Sequence, residues 1–215
     1  MKETMLLSKN STTYGNYEEY LEAQTSIGLS YESENYIWRD GQERYVKKMF
    51  SDLPRDIKIA DIACGDGVGL ECFKNLNFTS VEGFELSPDK AERARKYKYP
   101  IHEGDIHDLS FIEDEYYDII YSSHTLEHLL DPLSVLSQFK RILKKNGDVY
   151  VVLPYGSETV IQREHWVHCG VENLSLDIED GGETLKNKIQ DIGFTVVDKK
   201  FDEYRESEIW LKLKL

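Results

Sequence analysis

Ile57-Lys58-Ile59-Ala60-Asp61-Ile62-Ala63-Cys64-Gly65-Asp66-Gly67-Val68-Gly69 reads as an apolar strand that ends in an acid and runs into a glycine loop opening a helix. Gly65 and Gly67 accept backbone angles that a side chain forbids, and they place no Cβ between loop and ligand. A helix beginning near Gly69 turns unpaired N–H groups toward the same crevice, which favours anionic or electron-rich ligand groups. The dinucleotide fingerprint G-x-G-x-x-G is not met, because counting from Gly65 its last position is Leu70. That mismatch weakens a nicotinamide reading.

The pattern repeats downstream. Ser80 to Glu85 is a second strand ending in an acid whose carboxylate suits the two hydroxyls of a ribose. Ser87-Pro88-Asp89 then starts a helix with a capping serine and a proline at its first position. His102 to Ile106 forms a third segment, and Tyr117 to Ser123 a fourth strand running into His124-Thr125-Leu126-Glu127-His128. A leucine-rich helix stops at Asn146-Gly147 before a strand from Asp148 to Leu153. Alternating strands and helices are the mark of a parallel, doubly wound sheet with right-handed crossovers. In such sheets ligands bind outside the carboxyl ends of the strands, where strand order reverses, and Asp61, Glu85, Asp105 and His124 all belong to that address. Taken singly, Glu85 also suits a helix dipole and Asp105 a Gly-Asp turn; their joint occurrence points to a ligand.

These four ordered motifs resemble the class I S-adenosylmethionine-dependent methyltransferases, in particular the small-molecule, type 11-like branch whose fourth strand ends in an S-H-x-L-E-H-like run. The resemblance covers Ile57 to Pro154 closely and the C-terminal end more loosely. It implies a Rossmann-like α/β fold: a doubly wound, mostly parallel seven-stranded sheet closed by two strands, one antiparallel. It also implies S-adenosyl-L-methionine as cofactor. Asp61 and the loop of Ala63, Cys64, Gly65 and Gly67 would contact the methionine part, Glu85 the ribose hydroxyls and Leu86 the adenine face. Asp105 would accept from the adenine amino group with Ile106 packed on the ring, and Ser123 and His124 would border the reacting methyl. Where the family often has glycine, this chain has Ala63.

The chain has 215 residues, enough for one domain whose core needs neither disulfides nor metals. Its net charge of −14 is spread along the chain with no lysine- and arginine-rich face, which argues against nucleic acid and against anionic lipid. A small, neutral or cationic substrate is expected. Cys64, Cys72 and Cys169 lack C-x-x-C spacing, as expected of reduced thiols in a cytoplasmic protein, and no zinc cluster is implied; a divalent ion assisting methyl transfer, joined by His165 or His168, stays open as an alternative. The apolar stretch near Met5-Leu6-Leu7 is too short for a signal peptide, and no segment approaches a membrane span. The sequence leaves oligomeric state open.

Residues 1–55 are polar and tyrosine-rich, and they read as an N-terminal helical cap over the cleft, with helices near Tyr17 to Gln24 and Gln42 to Phe50. The methyltransferase domain then spans 56–215, with an insertion over the active site at 155–182. Within it, Arg163, His165, Trp166 and His168 suit either a pocket wall or a surface loop with an inward tryptophan. Near the end, a helix stops at Gly193-Phe194, a strand follows from Thr195 to Lys199, and alternating Ile209, Leu211, Leu213 and Leu215 mark a half-buried strand.

His124 to His128 also matches the metalloprotease pattern H-x-x-E-H. Because the run begins at a strand end, its two histidines need not share a helical face, so no zinc site is expected. Methyl transfer requires an aligned nucleophile and, for a hydroxyl acceptor, a proton acceptor for which an imidazole is suited. His124 is the expected base, with His165 and His168 as alternates. The resulting expectation is O-methylation of a polar small molecule such as a sugar or nucleotide-linked sugar. The alternatives are a nicotinamide-dependent oxidoreductase, disfavoured by Leu70 and a missing Tyr-x-x-x-Lys pair, and a regulatory protein that binds the cofactor without catalysis.

Overall fold

A computed structural model describes residues 16–26, 36–156, 169–202 and 207–215. Seven strands form one sheet: β1 Lys58–Ile62, β2 Ser80–Glu85, β3 Ile101–Glu103, β4 Tyr117–Ser123, β5 Leu143–Pro154, β6 Thr195–Asp202 and β7 Glu208–Lys214. Their order is β3-β2-β1-β4-β5-β7-β6. Neighbours from β3 to β5 are parallel, whereas β7 runs antiparallel to both β5 and β6. Strand order reverses between β1 and β4, so the cleft expected at a switch point lies beyond Ile62 and Ser123.

Seven helices accompany the sheet among the described residues: α1 Tyr17–Ser26, α2 Tyr36–Phe50, α3 Val68–Asn75, α4 Pro88–Ala94, α5 Pro132–Ile142, α6 Gly170–Leu174 and α7 Glu183–Asp191. The central strands are buried on both faces, as parallel strands covered by crossover helices must be. On one face Val135, Leu136 and Phe139 of α5 and Leu185 and Ile189 of α7 pack with Ile62, Ile120, Val151 and Leu211. On the other, Tyr45, Val46 and Phe50 of α2 and Leu70 and Phe73 of α3 pack with Ile59, Ile119, Tyr121 and Val152. Strand alternation sends neighbouring residues to opposite layers.

Several boundaries move from their expected places. The N-terminal region divides: α1 lies over the cleft, whereas α2 is part of the layer covering the sheet, because its apolar side chains fill that core. Helix α5 ends at Ile142 and not at Asn146-Gly147, since the fully buried Leu143 turns extended (φ −81°, ψ 134°) and pairs with Tyr117. The register then shifts before Ile119 pairs with Asp148, and a Cβ at Gly147 would lie 2.8 Å from the Asp118 carbonyl. The third strand is only Ile101–Glu103, so Asp105 sits in the turn beyond it. Pro88 opens α4 as expected, but the Ser87 hydroxyl makes no capping bond. All three cysteines are free and buried, and burial pushes the thiols of Cys72 and Cys169 up, to about 12 and about 11. Among the described residues no helix is long and apolar enough to cross a membrane.

Candidate active site

Beyond the carboxyl ends of β1, β2 and β4 lies an open cleft. Its walls include Ala63, Gly65, Glu85, Leu86, Asp105, Ile106 and His124, so seven of the residues singled out in the sequence converge there. Tyr20 and Gln24 of α1 close one side, and Lys90, Thr125, His128 and Leu129 complete it.

The loop after β1 is shaped by backbone more than by side chains. Ala63, Gly65 and Gly67 take positive φ values of 57°, 55° and 85°. At Gly67 a Cβ would also meet the Tyr97 ring at 2.7 Å. The left-handed conformation costs an L-residue such as Ala63 about 1–2 kcal/mol. Asp61, Cys64, Gly67 and Ser123 stand behind the wall. Asp61 is 3% exposed and faces Gly69, where a Cβ would come within 2.5 Å of Oδ2. Cys64 lies under the loop, its Sγ 2.8 Å from where a Cβ on Gly83 would sit.

Glu85 holds this arrangement together. One carboxylate oxygen accepts the Gly65 N–H at 2.9 Å and the other the Ser87 N–H at 2.8 Å, so a single buried side chain ties the loop to the end of β2. Asp66 contributes a second tie, accepting from Arg93 of α4 at 2.7 Å. Asp105 accepts the backbone N–H and the ring Nδ1 of His107 through Oδ1, at 2.9 and 2.7 Å, so the turn predicted for it is present inside the cleft wall.

His124 follows β4 with φ 51°, an uncommon conformation for a side-chain-bearing residue. Its Nε2 lies 2.9 Å from Glu208 Oε1 and its Nδ1 3.5 Å from Glu127 Oε1. Burial lowers its pKa, but the two carboxylates outweigh burial and raise it to about 9. The wholly buried Glu127 is raised by burial and pulled down by His128 and His124, to about 2. The strand end, the positive φ and the short 3-10 turn Leu126–His128 place the two histidines around Glu127 and not on one helical face. Among the described residues no group of three or more metal-ligating side chains is assembled. His165 and His168, with Arg163 and Trp166, lie outside the described residues.

Three contributors carry no signal in the sequence. Glu208 reaches His124 only because β7 runs antiparallel to β5 and pairs Glu208 with Pro154 at the cleft end of the sheet. Gln42, 4% exposed, joins α2 to the end of β4 through the Ser123 and Tyr121 hydroxyls. The His128 carbonyl accepts from Gln24 at 3.0 Å and Tyr20 at 3.4 Å, which seats α1.

The glycine cradle and the paired acids at one cleft fit an adenosyl cofactor. A methyltransferase-domain family model matches residues 33–199. A demethylmenaquinone methyltransferase of Chlorobaculum parvum is 28% identical over 139 residues, covering 63% of this chain and 54% of that protein. The ubiquinone/menaquinone biosynthesis C-methyltransferase of Campylobacter jejuni is 28% identical over 155 residues, covering 64% of each. The chain therefore spans 54–64% of the length of these curated relatives. Among solved structures, a Thermotoga maritima protein described as an S-adenosylmethionine-dependent methyltransferase, possible histamine N-methyltransferase, superposes with a TM-score of 0.69 at 20% identity, covering 91% of this chain and 99% of that one. With the family model spanning more than half of the residues and the sheet order and cleft in place, the chain belongs to the class I S-adenosylmethionine-dependent methyltransferases.

Proposed function

We propose that this chain transfers a methyl group to a hydroxyl of a small polar acceptor, with a sugar or nucleotide-linked sugar as the leading class. One observation carries the reading: the Ala63–Gly65 backbone, Glu85, Asp105 and His124 open into a single cleft at the switch point of the sheet. The sugar class is supported by the acidic composition and by the polar segment after β5. S-adenosylmethionine, when bound, supplies an electrophilic methyl carbon on a sulfonium.

The work left to the protein is placement. In this reading the loop from Ala63 to Gly67, backed by Asp61, receives the amino-acid portion, Glu85 the ribose, and Asp105 with Leu86 and Ile106 the adenine. Tyr20 and Gln24 keep water from one side of the cleft. His124 has both ring nitrogens turned to carboxylates and is held as an imidazolium at neutral pH, so we assign it the task of fixing the end of β4 beside the acceptor and not that of the base. Proton removal from a hydroxyl then falls to His165 or His168.

A second reading has support from the comparisons. The named relatives are quinone-pathway methyltransferases, one of them a C-methyltransferase, which favours a hydroxylated ring as acceptor. Transfer of labelled methyl from S-adenosylmethionine to a panel of nucleotide sugars, free sugars and hydroquinones separates the two. Label on a sugar hydroxyl supports the first reading, label on a ring carbon or oxygen the second, and failure to bind S-adenosylhomocysteine at all would overturn both.

A further inference from the structure

The turn after β3 holds a contact that cofactor recognition does not itself require. Asp105 lines the cleft, yet its Oδ1 is taken twice by one neighbour, accepting the His107 backbone N–H at 2.9 Å and facing the His107 ring Nδ1 at 2.7 Å. The ring is fixed from the far side as well, because the Asp131 backbone N–H points at its Nε2 at 3.5 Å. The tautomer carrying its proton on Nδ1 satisfies both contacts. From above, the rings of Tyr17 and Tyr20 in α1 meet the imidazole edge-on, with centroids 6.2 and 5.8 Å away and planes 80° and 79° apart. Tyr20 is 1% exposed and anchored on Leu130 and Cys169, so this wall is part of the core. The imidazole is thus held by the strap of α1, by the start of α5 and by its own turn. The carboxylate it grips has one oxygen, Oδ2, outside that grip.

We propose that His107 is a positioning residue for cofactor selection: it clamps Asp105 through Oδ1 so that Oδ2 is presented to the adenine amino group. The proposal rests on the assignment of Asp105 to adenine made above. A carboxylate free to rotate about its own bonds spends part of its time turned away from the ligand, whereas one held at one oxygen presents the other in a constant direction, so the ordering cost is met before the ligand arrives. Selectivity follows from the same geometry. A carboxylate oxygen accepts from an exocyclic amino group and repels the oxygen that replaces it in hypoxanthine.

Calorimetric titration of the full chain with S-adenosylhomocysteine and with S-inosylhomocysteine tests this. The native chain should bind the adenosyl form at least about tenfold more tightly, roughly one hydrogen bond plus the penalty of a mismatched oxygen. His107→Phe keeps a ring against Tyr17 and Tyr20 but removes both ring nitrogens. It should lower that preference by about five- to tenfold, by weakening the adenosyl form while the inosyl form stays within about twofold. His107→Ala serves in the same way should the phenylalanine variant not fold. Equal weakening of both ligands would show that the ring matters only for packing, and an unchanged preference would show that Asp105 needs no clamp; either overturns the proposal. Asp105→Ala separates this failure from that of the underlying assignment. If it abolishes the preference while His107→Phe does not, only the clamp is wrong; if Asp105→Ala leaves the preference intact, Asp105 does not read adenine and both fall.

Discussion

Two residues of the cleft hold backbone conformations that their side chains resist. At Ala63 (φ 57°) a left-handed alanine is strained, so Ala63→Gly should leave the fold unchanged and raise stability by up to about 1 kcal/mol, the relief of strain being partly offset by the freedom glycine gives the unfolded chain. Ala63→Val should instead lower stability by about 1–3 kcal/mol, and urea midpoints with unchanged slopes would check both. His124 is strained in the same way, and its two carboxylate partners offset the strain. Its pKa stands at about 9 in the folded chain against an ordinary value near 6.5. The stabilisation is therefore complete below pH 6.5 and is lost as pH rises through 9, where the imidazole gives up its proton. Between those limits the unfolded chain binds fewer protons than the folded one, and unfolding free energy should fall by up to about 1.4 kcal/mol per pH unit. His124→Gln should flatten that slope while lowering stability at neutral pH, because the buried Glu127 loses a cationic neighbour; denaturant titrations at several pH values would show a retained slope if the pairing is not responsible.

At the scale of elements, helix α3 is set by a close approach. A Cβ at Gly69 would lie 2.5 Å from the Asp61 carboxylate, which is held on a buried strand. Helix propensity alone favours alanine over glycine by about 1 kcal/mol, but the clash should win, since overpacking a filled site costs about 1–3 kcal/mol. Gly69→Ala should therefore destabilise the chain and weaken S-adenosylhomocysteine binding by displacing Asp61 behind the loop; a variant more stable than the parent would show that Asp61 moves freely. Helix α2 joins the site through Gln42, which links the Tyr121 and Ser123 hydroxyls at the end of β4. Gln42→Ala should leave the buried Tyr121 hydroxyl without that partner, at about 1–3 kcal/mol, and thermal melts of the variant would read the loss directly.

For the whole molecule, binding and stability are linked through one cleft that gathers β1, β2, β4 and α1. A ligand that orders those elements together stabilises only the folded chain. At a concentration about one hundred times its dissociation constant, S-adenosylhomocysteine should add about 2.7 kcal/mol, which for a chain of this size corresponds to a rise of about 5–10 °C in the melting midpoint. A reduced nicotinamide cofactor at the same concentration should produce none, and a comparable rise with it would revive the oxidoreductase reading. Several acids are used inward, with Glu85, Asp105, Glu127 and Glu208 each tying a loop or a histidine.

Local patterning determined most of the architecture, because strand and helix periods, proline starts and glycine loops are properties of short segments. Strands β2 and β4 appear at their expected limits, and Gly65, Glu85, Asp105 and His124 are readable as a set because a parallel sheet sends every strand end to one side. What no segment contains is the identity of a distant neighbour. The separation of 84 positions between His124 and Glu208 is bridged only once β7 reverses against β5, and Gln42 meets Ser123 only after α2 packs onto the sheet. That packing sets His124 between two carboxylates and raises its pKa, because the neighbours of an imidazole are chosen by the tertiary structure and not by its own segment.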